Sequence, residues 1–249
     1  MPHLLRKAAL LHRMQTATPE ERIRLKAESD ARNVALAAQR AEAQAQQLAV
    51  EKVRRAELWL ADNRPSLFAN CDIEGAPRPT QFKAALDYFT DGAIEERQRS
   101  GRGAMHSLVL HSAESGTGKT TCGWALIEKA VRESSHWPIH ATPTVTFMRL
   151  CKARHINGEA RNEFAAAFDA CMGAGLLLLD DLTTEKKLSE SSEEVLVELV
   201  DRRTSEELPT IITSNVDSKA LRSTFSSRNG PKIMRRFHEF FGWIDFSQP

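Results

Sequence analysis

Residues 113 to 121 read AESGTGKTT. The order Gly116, Thr117, Gly118, Lys119, Thr120 suits a loop whose backbone N–H groups surround nucleotide phosphates, with the lysine on the outer phosphates and the hydroxyl on Mg²⁺. The full pattern, G-x-x-x-x-G-K-[ST], opens on a glycine, and here that place holds Ala113. Three readings follow: a working nucleotide site, a decayed one, or a chance string in a structural turn. The neighbourhood favours the working site. Ser107-Leu108-Val109-Leu110-His111 is a short apolar run of strand type, and Thr120 to Ser134 reads as a helix, which together give the strand, glycine-rich turn and helix that the motif requires. Ala113 is compatible if its φ is negative, since the residues nearest the phosphates are Gly116, Thr117 and Gly118. Ser115, Gly116, Thr117, Gly118, Lys119, Thr120 and Thr121 are the candidate nucleotide contacts.

Further residues supply the rest of such a site. Gly175-Leu-Leu-Leu-Leu-Asp180-Asp181 is a buried parallel strand that releases two carboxylates at its end. Asp180 suits Mg²⁺ held through its water shell, and Asp181 suits polarisation of an attacking water. Standing alone, the pair would be an ordinary turn after a core strand; beside Lys119 it is the second half of an ATP site. Pro209-Thr-Ile-Ile-Thr-Ser214-Asn215 ends another apolar strand on an amide able to orient water near a γ-phosphate. A helix with a capping-box start at Ser191-Ser-Glu-Glu194 precedes it. Near the end, Gly230-Pro231-Lys-Ile-Met-Arg235-Arg236-Phe237 is a basic helical segment, either a solvated face or the source of an arginine for a neighbouring subunit's phosphate.

The elements that must position these groups follow from the pattern. The chain of 249 residues has a net charge of +1 and 41% hydrophobic residues, enough for one large core plus an appendage, and its overall field selects no partner. Cys71, Cys122, Cys151 and Cys171 are too scattered for a zinc module or disulfide frame, which fits a reduced, cytoplasmic setting. The N-terminal LLRKAALLHRM is too short and charged for a signal peptide or membrane span, though Leu4, Leu5, Ala8 and Leu11 share a helical face. Thr18-Pro19-Glu20-Glu21 is a helix start with a capping box, and Ile23 to Leu60 should be one long helix whose apolar stripe is thin and mostly alanine. That segment is either a solvated tail or coiled coil, or an arm that docks on another protein. After a linker at Asn63, Arg64 and Pro65, a helix (Thr80 to Phe89) precedes strands at 107–111, Thr144 to Phe147, Leu176 to Leu179 and Thr210 to Thr213, with helices between. Such alternation predicts an α/β fold, a parallel sheet covered by helices on both faces, with ligands at the carboxyl ends of its strands.

Over roughly residues 66 to 245 the chain resembles the AAA+ ATPases of the DnaC/DnaI type, the loaders of bacterial replicative helicases. FANCDIEG (68–75) resembles the family's N-linker; SGTGKTT and LLLLDDL its Walker A and Walker B; VELVDRR and PTIITSN the helix and sensor-1 strand that follow; IMRRF its arginine-finger block. The resemblance implies phosphate binding by Gly116, Gly118 and Lys119, Mg²⁺ at Thr120 and Asp180, water activation by Asp181, sensing by Asn215, and a finger in trans from Arg236. It also implies an AAA+ P-loop domain over 63–249, without a lid domain, behind a helical partner-binding arm over 1–62. Two departures, Ala113 and an aspartate at Asp181 where many relatives carry glutamate, imply slow hydrolysis.

The expected function is an ATP-dependent loader: the arm grips a hexameric replicative helicase, the AAA+ modules form a homo-oligomer, and hydrolysis at subunit interfaces governs transfer onto single-stranded DNA, with no membrane involved. An IstB-type transposition helper ATPase carries the same blocks. A small-molecule kinase would need an arginine-rich lid but neither Asn215 nor a finger in trans, and a nucleotide-gated adaptor would bind ATP with negligible turnover. Lys152, Arg154, His155 and Arg161 could line a DNA channel or be scattered surface charge.

Overall fold

The computed structural model describes residues 18–69, 76–89, 107–132, 138–155, 158–182 and 188–247. The short helix expected near Leu4, most of the FANCDIEG block, Cys71 and the side chain of His155 lie outside the described residues. The chain divides into two compact units, Met1–Arg54 and Arg55–Pro249.

In the first unit the helix start is the one its residues predict. Thr18 N donates to Glu21 Oε2 at 2.9 Å, and Glu21 N donates back to Thr18 Oγ1 at 3.4 Å, a reciprocal capping box. Helix α1 (Pro19–Asn63) follows without a break. Before residue 55 its side chains are exposed, Ile23, Val34, Leu48 and Val50 among them, except for the half-buried Leu25 and Ser29.

The last two turns of α1 belong to the second unit, where Ala56 and Leu60 are buried and Trp59 lies 6.4 Å from Trp124, centroid to centroid. Arg64 closes the helix end on Glu128 at 2.6 Å. Then come α2 (Pro79–Asp87), β1 (Leu108–His111), α3 (Lys119–Arg132), β2 (Ile139–Pro143), α4 (Thr144–Cys151), α5 (Glu159–Gly173), β3 (Leu176–Asp180), α6 (Glu190–Ser205), β4 (Thr210–Ser214), α7 (Ser218–Thr224), α8 (Gly230–Phe240) and β5 (Gly242–Asp245). The five strands are all parallel, in the order β2-β3-β4-β1-β5.

Strand β3 shows why the sheet is covered on both sides. Leu177 and Leu179 face a core built from α4, α5, α6 and α8, while Leu176 and Leu178 face α2, α3 and the end of α1. All four are fully buried, so the run is continuously apolar, as strands covered on both faces are. At the strand-entry end, the buried guanidinium of Arg203 laces β3 to β4: it donates to the carbonyls of Cys171, Ala174 and Pro209 and to Thr210 Oγ1, all at 2.7–2.8 Å. Burial lowers its pKa to about 10.

Two elements differ from the sequence reading. Thr144 to Phe147, expected as a strand, opens α4, and the strand lies just before it. The β-branched residues suggested β, but Thr144, Phe147, Met148 and Cys151 are the buried residues, a helical face spaced i, i+3, i+4, i+7, and Pro143 stands at the helix's N-cap. The cap of α6 is Ser189, which accepts from Ser192 N, and not the box expected at Ser191. Cys122, Cys151 and Cys171 are buried free thiols, and burial pushes the latter two up to about 12. Among the described residues no helix is long and apolar enough to cross a membrane.

Candidate nucleotide site

The loop from Ser112 to Gly118 joins the carboxyl end of β1 to α3. Ser112 Oγ accepts from Glu114 N at 3.0 Å, and Ser112 N donates to Ser214 O at 3.1 Å, so the loop's base is tied both to itself and to β4. Gly116 and Gly118 have φ of 74° and 94°, which L side chains rarely adopt. At Gly118 a Cβ would also stand 3.3 Å from Pro77 and 3.4 Å from Phe82. Among the described residues the only non-glycine positions with positive φ are Asp181 and Glu207. Ala113 therefore takes ordinary backbone, and its replacement of the motif's first glycine leaves the loop unstrained.

Lys119, 5% exposed, folds over this loop: its Nζ donates to Glu114 O at 2.8 Å and Thr117 Oγ1 at 3.1 Å. Burial lowers its pKa, opposed by Asp181, Asp180 and Glu114. Both lysine partners are neutral acceptors that an anion can displace. Lys119, Thr120 and Thr121 form the first turn of α3, and the N–H groups of a helix's first turn suit an anion.

The two acids meet this loop across the sheet. Thr120 Oγ1 donates to Asp180 Oδ1 at 2.8 Å, joining the start of α3 to the end of β3. Thr213, at the end of β4 and 2% exposed, donates its hydroxyl to the same Oδ1 at 2.6 Å and accepts from Asp181 N at 2.8 Å. One hydroxyl thus fixes both acids. Asp181, at φ 57°, turns away from the strand direction and accepts from Asn215 Nδ2 at 2.9 Å. Burial and then Asp180 raise its pKa, while Lys119 and the Asn215 bond pull it down. A carboxylate held in backbone that aspartate adopts only sparingly is the kind of strain that gathers at working sites.

Ser115, Gly116, Thr117, Gly118, Lys119, Thr120, Thr121, Asp180, Asp181 and Asn215 accordingly converge at the carboxyl ends of β1, β3 and β4. The oxygens of Thr120 and Asp180 are hard donors suited to Mg²⁺, which takes few protein ligands and completes its shell with phosphate and water. Arg236 is placed elsewhere: it sits on α8 and bonds to Asp201 on α6. Ser112 and Thr213 were not singled out in the sequence. Only a hydroxyl at each strand end hinted at them.

Beside Asp181 lies a cavity of about 410 Å³ whose rim carries the exposed cations Arg149 and Lys152. Arg161 is also exposed, whereas Arg154 is paired with Glu198 at 3.2 Å.

No family model matches the chain, and no curated protein matches it in sequence. Solved structures do match. A DnaC helicase loader is 18% identical, covering 73% of this chain and 99% of its own, with a TM-score of 0.52. A candidate primosome component from Streptococcus pyogenes serotype M3 is 22% identical over 70% of this chain and 81% of its own, TM-score 0.50. DnaI is 23% identical over 57% and 71%, TM-score 0.47.

Proposed function

We infer from its likeness to a solved DnaC helicase loader that the chain has the AAA+ fold, a five-stranded parallel sheet flanked by helices and preceded by an N-terminal helix. From that premise we propose that it is an ATP-dependent loader of a hexameric replicative helicase onto single-stranded DNA, acting in the cytoplasm as a homo-oligomer. The observation that carries this reading is the bonded chain Thr120–Asp180–Thr213–Asp181–Asn215, which joins the phosphate loop to both acids and the amide at the strand ends of that fold.

In this reading Lys119 leaves Glu114 O and Thr117 Oγ1 for the outer phosphates, and the N–H groups from Ser115 to Thr121 cradle the inner ones. Thr120 and Asp180 would hold Mg²⁺, which would supply positive charge to neutralise the phosphates. Asp181 polarises the attacking water, and Asn215 aims that carboxylate while its bond favours the ionised form. Arg236 serves the site of a neighbouring copy, so turnover belongs to the assembly. The arm over 1–62, with its exposed Ile23, Val34, Leu48 and Val50, takes the helicase, and Arg149, Lys152 and Arg161 offer a basic surface to the strand.

Lys119→Ala tests the site. The lysine's bonds are confined to the loop, so the variant should melt as the parent does while ATP binding or phosphate release is lost. Unchanged nucleotide affinity and hydrolysis would overturn the reading. Affinity capture from native lysate tests the loader role, and failure to retain a replicative helicase would overturn that part alone.

A further inference from the structure

Arg236 is held before any neighbour arrives. Its Nε donates to Asp201 Oδ1 at 2.6 Å, and its Cζ lies 5.5 Å from the centroid of the Phe240 ring. Glu239 Oε2 stands 3.9 Å from Nη1, too far for a hydrogen bond. The side chain keeps 25% of its surface exposed. Asp201 therefore occupies the inner nitrogen and leaves the outer fork without a hydrogen bond, Glu239 pairing with it only loosely through Nη1. That division matters because a guanidinium engages phosphate oxygens through the paired N–H groups of its fork. A carboxylate across the fork would mask the charge; a carboxylate on Nε sets its direction.

The support for Asp201 runs back to the chain's own site. It lies on α6, the helix that follows the Asp180–Asp181 strand. At the start of α6 the buried Glu193 accepts from Ser226 N at 2.7 Å and bonds the Ser226 hydroxyl, which in turn accepts from Asn229 N at 3.2 Å, fixing the turn that opens α8. Eight residues further, about 12 Å along the helix, Asp201 holds the second half of α8. Between these two ties Val200, Ile233, Met234 and Phe237 are packed in one core. The base of Arg236 is thus rigid, and its tip is directed by one bond.

The geometry points to Asp201 as the positioning residue for the arginine that completes a neighbouring copy's site. It rests on the trans role of Arg236 proposed above. Without the carboxylate the long side chain spreads over several rotamers, and the neighbour's phosphate must select one of them at each turnover.

The test uses the full chain, assembled as judged by sizing, with phosphate release measured against ATP concentration. Asp201→Ala should lower kcat by on the order of tenfold, with KM and melting temperature unchanged. Asp201→Asn keeps an oxygen that accepts from Nε and should restore most of that loss. A mixture of Asp201→Ala with Lys119→Ala should exceed the average of the two alone, because it pairs intact loops with well-held fingers. Parental or raised kcat in Asp201→Ala, no rescue by asparagine, or a mixture no better than its average would each overturn the inference. Arg236→Ala separates the two levels. If it is inactive while Asp201→Ala is normal, only the role of Asp201 falls; if it turns over at the parental rate, the finger assignment falls and this inference with it.

Discussion

Asn215 donates to Asp181 Oδ1, and a bond to the ionised form favours ionisation. Burial and Asp180 act in the opposite sense and prevail, so Asp181 titrates above its ordinary 3.8. A carboxylate that must be ionised to polarise water then loses activity on the acid side at a higher pH than an ordinary aspartate would. Asn215→Ala removes one influence holding the pKa down. The expected outcome is an acid limb of the kcat profile displaced to higher pH, with a plateau roughly tenfold lower. A limb that stays in place would separate Asn215 from Asp181. Stability follows the same sign. Since the folded pKa is raised, the contribution of Asp181 to folding is fully present below its ordinary 3.8 and is lost as pH rises through the folded value.

At the scale of elements, the sheet is held at its two ends by different chemistry. The carboxyl end is joined by the hydroxyl of Thr213, and the entry end by Arg203, a buried cation whose partners are three carbonyls and a hydroxyl. Arg203→Met would fill much of the volume and strand those acceptors, at a cost of about 1–3 kcal/mol for each one left unsatisfied. The expected result is a loss of about 3 kcal/mol or more, seen as a melting temperature lower by roughly 6–12 °C for a unit of this size. Nucleotide affinity measured below the new transition should be unchanged, because Arg203 lies at the far end of the strands from the loop. A variant that melts normally but binds ATP poorly would contradict this division.

For the whole molecule, the break between units at Arg54 and Arg55 makes a distinction that truncation can read. A chain of residues 55–249 keeps Ala56, Trp59 and Leu60 in the second unit's core and should fold and bind nucleotide while losing helicase capture. A chain of residues 63–249, cut at the boundary the family resemblance implies, exposes what those side chains covered. It should be less stable by about 3 kcal/mol or more. Thermal melting of the two truncations, with and without ATP, makes the comparison; equal melting temperatures would show that the end of α1 adds nothing to the second unit.

The local patterns were enough for the sequence to determine a glycine-rich loop between a strand and a helix, the two acids after LLLL, the capping box at Thr18 and a parallel α/β sheet. Each depends on neighbours within a few residues, where propensity and periodicity act directly. The second strand was misplaced by a few residues because β-branched content outweighed a helical spacing that only burial makes evident. What tertiary structure alone decided are bonds between distant residues: Thr120 to Asp180 across 60 positions, Thr213 to Asp180 across 33, Arg236 to Asp201 across 35. Their partners are chosen by strand register and helix packing, and a shift of one residue in β4 would turn Thr213 to the other face of the sheet. The harmlessness of Ala113 belongs here too, since a residue type sets which φ it can adopt and only the folded loop sets which φ it must.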